Sequence, residues 1–126
     1  MEAVKIISFE KEYGAFIDTK TTKFTSNRIL MDANEIRMGY MYLGNDDKIP
    51  FHEALADQLF MIVSGEGWVC DEDENRISLS SGKAAFWKKG EFHAAGTDSQ
   101  MSALVIEGKN LNSQNVPVLK NVITSY

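Results

Sequence analysis

The chain has 126 residues, 44% of them hydrophobic and 25% charged, enough for one compact core and too few for two ordinary domains. Its net charge of −5 is set against no basic cluster, since the longest Lys/Arg run is Lys88-Lys89, and this excludes a phosphate-tracking surface and with it nucleic acid as a partner. Cys70 is the sole cysteine, so an internal disulfide framework and an all-thiolate metal site are excluded, and the residue reads as a small strand side chain.

In chain order, Met1 to Glu12 lacks the charged-then-apolar layout of a signal peptide, and no apolar run approaches the length of a membrane span. A cytoplasmic location without membrane contact is expected. Val4 to Phe9 reads as a strand, followed by a polar, Thr-, Lys- and Asn-rich passage up to residue 34. Glu35 to Leu43 is rich in aromatic and branched residues and ends at the turn formers Gly44-Asn45-Asp46-Asp47, which predicts a strand and a turn. Phe51 to Gln58 contains helix formers but reads as a strand end and loop.

Gln58 to Val63 is an apolar run that stops at Ser64-Gly65-Glu66-Gly67, and Trp68-Val69-Cys70 resumes at once, which predicts a tight hairpin. A second hairpin turns at the acidic tip Asp71 to Asn75. Arg76 to Ser80 alternates polar and apolar, Gly82 to Trp87 is compact and apolar, and Met101 to Ile106 closes the series before Glu107-Gly108. Residues 109–126 are polar with a late apolar strand signal, and either end of the chain is placed to add a strand or cover a sheet edge. The sum is an all-β chain of at least six strands, a sandwich or barrel.

Two stretches resemble the paired motifs of the cupin superfamily. In the second, Gly82, five residues, Lys88-Lys89-Gly90, two residues, His93, three residues, Thr97 keeps the family spacing, with Lys88 standing for proline and Thr97 for asparagine. In the first, Gly44 precedes Pro50-Phe51-His52 at the family distance and Gln58 precedes Gly65 by six residues, with Pro50 in place of the first histidine, Gln58 in place of the acidic ligand, and a spacer one residue longer. The resemblance covers about residues 36–108 and is best to small single-domain cupins. It implies one antiparallel β-barrel domain over 1–126, a double-stranded β-helix or jelly roll, with a small-molecule pocket in its mouth. Fold alone does not give function.

The same resemblance implies a reduced metal set, His52, Gln58 and His93, suited to zinc, iron, manganese or nickel, and no nucleotide or organic cofactor. Strand alternation points Gln58, Phe60 and Ile62 one way and sets Glu91 and His93 on one face of a later strand, both sets toward the barrel interior, so Glu91 and His93 are candidate acid and base, with Glu53 as the rival carboxylate near His52. Tyr42 and Phe60 are candidate pocket walls, and the opposite row, Leu59, Met61 and Val63, offers apolar surface for a homodimer. Two functions stay open: a metal-dependent enzyme on a sugar-like or other small polar metabolite, and a metal-free metabolite-binding or sensor module.

Overall fold

A computed structural model describes residues 8–33, 35–109 and 111, and in them the chain forms nine strands, one short 3-10 turn and no α-helix. The strands are β1 (Ala15–Asp18), β2 (Lys23–Ala33), β3 (Ile36–Leu43), β4 (Lys48–Glu53), β5 (Asp57–Cys70), β6 (Arg76–Ser80), β7 (Ala84–Trp87), β8 (Phe92–Gly96) and β9 (Met101–Gly108). All pairings are antiparallel, in two sheets ordered β1-β2-β3-β9-β5-β7 and β4-β8-β5-β6.

β5 belongs to both sheets. Its first half, Gln58 to Met61, lies between β7 and β9, and its second half, Trp68 to Cys70, lies between β6 and β8. The hairpin expected at Ser64 to Gly67 is therefore not a reversal. It is a bend inside one strand of 14 residues, marked by a register shift between Ile62 and Ser64 against β9. Gly65 has φ of 77°, and a Cβ there would overlap the Gln100 carbonyl, while one on Gly67 would overlap the Gly96 carbonyl. These glycines serve as a sheet corner where other backbone passes close, which a turn-former reading cannot distinguish from a hairpin.

The turn at Asp71 to Asn75 is a true hairpin, closed by Asp71 Oδ1 accepting the backbone N–H groups of Asp73 (2.9 Å) and Asn75 (3.1 Å). The polar passage before residue 34 holds β1 and β2, paired from Ala15↔Ser26 to Asp18↔Lys23, because Phe24 and Ile17 supply enough apolar surface to seat the hairpin on the core. Ser8 and Phe9 belong to no strand, Val4 to Ile7 fall outside the described residues, and so do 110 and 112–126, where the late strand signal lies.

The core between the sheets contains Phe24, Leu43, Phe60, Ile62, Val69, Leu79, Trp87, Ala95, Met101, Ala103 and Val105, with Met41 and Ile49 packed against it. Side chains on a strand alternate, so each core position fixes the direction of those two, four and six residues away. Leu43 and Met41 set Gly39 and Arg37 inward on β3, Ala103 and Val105 set Glu107 inward on β9, and Ile62 and Phe60 set Gln58 inward on β5. At one end of the barrel, then, the inward rows change from apolar to polar. On the opposite row of β5, Leu59 and Met61 are half-buried and Val63 is exposed.

The corner makes a comparison of two glycines informative. Gly82 also has a positive φ, 92°, but open space around it, so Gly82→Ala should cost about 1 kcal/mol from backbone strain alone. Gly65→Ala adds a clash with the Gln100 backbone and should cost at least about 2 kcal/mol more in urea unfolding. Equal costs for the two would refute the corner role.

Candidate functional site

The polar end of the barrel is a belt of side chains on neighbouring strands. His52 and His93 stand directly opposite each other on β4 and β8, their ring centres 4.4 Å apart. His93 stacks on Trp87 at 4.2 Å with the planes 20° apart, joining the two sheets. Trp87 is paired across the sheet with Gln58, Gln58 with Glu107, and Glu107 with Arg37. That last pair is closed by an ion pair, Arg37 Nη2 to Glu107 Oε2 at 3.2 Å. Directly opposed residues of an antiparallel pair share a face, so the six form one continuous row.

His52 reaches this row through an irregularity. Ile49 lies opposite Ala95 and His52 opposite His93, so three positions on β4 match two on β8, and the register shift turns His52 to the same side as Ile49. Its Nδ1 lies 2.7 Å from the Pro50 carbonyl and must donate to it, which leaves Nε2 with the lone pair in the neutral ring. Pro50 is tolerated because β4 is an edge strand.

His93 is buried, with 2% of its surface exposed. Burial first, and then the neighbouring His52, push its pKa down to about 4, against a smaller opposing pull from the Glu91 backbone carbonyl. At neutral pH it is an uncharged imidazole. A base so weak suits hydrogen bonding better than proton abstraction.

Two cavities meet the belt at its Arg37–Glu107 end, and His52, His93, Trp87 and Gln58 line neither. One of about 250 Å³ is lined by Ser26, Arg28, Arg37, Met41, Val105 and Glu107 among others. The other, about 620 Å³, is bordered by Asp57, Lys89 and Lys109, and the two share Arg37, Leu55 and Glu107.

The expected site residues are thus brought together in part. His52, Gln58 and His93 are inward at the same barrel end, whereas Glu91 precedes β8 and its Oε1 accepts the Lys88 N–H at 2.6 Å. The turn through Gly90, with φ of 94°, interrupts the strand that would have set Glu91 beside His93. Glu53 is exposed and lies opposite Phe92, on the side away from His52. Tyr42 is on the outer side of β3, where it packs on Tyr40 at 5.0 Å and donates its hydroxyl to the Phe9 carbonyl, because Met41 and Leu43 take the inward positions. Phe60 is inward but only 1% exposed, under the edge of Trp87, so it is part of the floor and not a wall open to a ligand. Sequence reasoning passed over Arg37 and Glu107. Their signal was present, since each continues the alternation of an apolar strand at its end.

The metal expectation meets a donor problem. Among the described residues no group of three or more His, Cys, Asp or Glu side chains converges. Two neutral imidazoles and an amide, without an anionic donor, do not fit a tightly held resident divalent ion.

No family model matches the sequence, and no curated protein matches it as a relative. Solved structures do match. A cupin-like protein from Thermotoga maritima superimposes with a TM-score of 0.73 over 93% of this chain and 88% of its own, at 14% identity. An RmlC-like cupin family protein with a double-stranded β-helix fold, from Methanocaldococcus jannaschii, gives 0.68 over 86% and 94%, at 11% identity. The chain has the cupin fold. The DMSP lyase DddQ from Ruegeria pomeroyi also matches this chain, with a TM-score of 0.66 at 21% identity over 91% of this chain and 60% of the lyase. Identities this low speak to the fold alone.

The pKa of His93 sets the acid limb of stability. Well above pH 6.5 the ring is neutral both folded and unfolded and contributes nothing to the pH dependence. Below it the unfolded chain takes up the proton first, so stability falls until about pH 4 and then levels, a loss of up to about 3 kcal/mol. Urea unfolding between pH 7.5 and 4 should show this limb in the wild type and a shallower one in His93→Gln. Parallel curves would remove the assignment to His93.

Proposed function

We propose that the chain is a small-molecule-binding cupin whose ligand sits in the mouth bounded by the belt from His52 to Arg37 and is held by hydrogen bonds, without a resident metal ion. The observation that carries this reading is the meeting of His52, His93, Gln58 and the Arg37–Glu107 pair in one row at one end of the barrel. The cavities that reach this row at Arg37 and Glu107 provide the room. Displacement of Glu91 into its own turn removes the carboxylate that an acid-base pair with His93 would need.

A second reading, that the chain is an enzyme, is favoured by His52. Its Nδ1–H is held by Pro50, so the Nε2 lone pair is presented by an exposed ring at the same mouth, oriented to take a proton from a bound substrate. The structural likeness to a lyase that acts on a small molecule is compatible with that use of the mouth.

Elemental analysis of untagged protein beside His52→Ala and His93→Ala tests the metal-free part: well under one ion per chain is expected in all three. One ion per chain in the wild type, lost in both variants, would restore the metal-dependent reading. A thermal-shift screen of sugars, hydroxy acids and keto acids should find a compound that raises the wild-type Tm by about 2 °C or more and has no such effect on His93→Ala. A screen in which no compound discriminates between the two proteins counts against the pocket.

A further inference from the structure

The side of the mouth away from the histidines is lined by a different chemistry. On β2, Ser26 lies opposite Met41 and Arg28 opposite Gly39, so both face inward with the core-packed Met41. Arg28, Arg37 and Glu107 then surround one cavity of about 250 Å³, over an apolar floor that includes Met41 and Val105. Arg37 is tied to Glu107, while Arg28 has no ion pair among the described residues. The cavity therefore carries one net positive charge in a chain whose total is −5.

Leu55 completes the lining. Its side chain is 79% exposed although it borders both cavities, and it follows Ala54, which is pinned by two backbone hydrogen bonds of 2.8 Å, to Glu91 and from Gly90. An apolar side chain on an anchored stem at the rim gains by covering a ligand that is itself partly apolar.

We infer that this cavity takes the carboxylate of a small organic monoanion with a short apolar portion, an inference that rests on the mouth being the ligand site. The carboxylate lies on Arg28 and the remaining donors of Arg37, in the planar geometry guanidinium groups favour, and the apolar portion lies between Met41, Val105 and Leu55. Charge selects the class. A neutral ligand leaves Arg28 without a counter-charge, and a dianion sets an excess of negative charge against Glu107. Volume selects the size, since about 250 Å³ is below the range of drug-sized sites and suits a metabolite of a few carbons.

Backbone-amide NMR titration of the full chain with butanoate, butanamide and methyl phosphate, at equal ionic strength, tests this. Butanoate should perturb the amides around Arg28, Arg37 and Val105 and bind at least about 10-fold tighter than either other probe. Arg28→Gln should weaken butanoate by about 10-fold, and Arg28→Lys should restore only part of the loss. Equal binding of butanoate and butanamide, tighter binding of methyl phosphate, or indifference to Arg28→Gln overturns the monoanion while leaving the mouth as a binding site. No mouth perturbation by any probe overturns it too, and the thermal-shift screen then tells whether the mouth binds another class or none.

Discussion

The structure depends on one strand being shared by two sheets. β5 runs from the mouth, where Gln58 faces inward, through Phe60 and Ile62 in the core, bends at Gly65, and ends between β6 and β8. Because a strand in two ladders cannot slide in one without breaking the other, the register of β7 and β9 against its first half and of β6 and β8 against its second are set together. The bend requires close backbone approach at Gly65 and Gly67, where a side chain would meet carbonyl groups of Gln100 and Gly96. The inward direction of Gln58 and its pairing with both Trp87 and Glu107 follow from that registration.

The mouth is polar because apolar rows run out, and its parts are coupled by packing. Trp87 is in the core cluster, stacks on His93, and touches the edge of Phe60, so a single indole supports both the histidine pair and the hydrophobic floor. Burial, and after it the neighbouring His52, keep His93 uncharged, and a neutral imidazole packs there without the desolvation cost that a cation would incur. The Arg37–Glu107 pair at the opposite rim is half-exposed, and its direct contribution to stability is small. Its consequence is placement, since the pair ties β3 to β9 at the edge of the cavity that both residues line.

The residues that depart from the cupin motif have structural roles. Pro50 takes the position of a histidine, yet its carbonyl holds the Nδ1 of His52 and so fixes that ring. Gln58 replaces a carboxylate but lies opposite Glu107, so the mouth keeps an anionic group on the neighbouring strand, tied to an arginine and not shared with the histidines. The barrel end is thus polar, with hydrogen bonding at His52 and charge pairing at Glu107.

Sequence alone determined the β architecture, the second hairpin, and the spacing of Gly82, Gly90 and His93, since period-two alternation and turn chemistry act over a few residues. It also determined that Gln58, Phe60 and Ile62 share a face. It could not place Tyr42, Glu91 or Glu107, because which face of a strand is inward depends on what packs against it, and whether a residue belongs to the strand at all depends on the turn before it. Nor could it separate a hairpin from a corner at Gly65, since both need glycine and differ only in whether another strand passes within contact distance. Tertiary structure decided these points because the register of β4, β5 and β9 is set by partners far away in the chain, and a shift of one residue, as at His52, exchanges the side chains that face the cavity for those that face solvent.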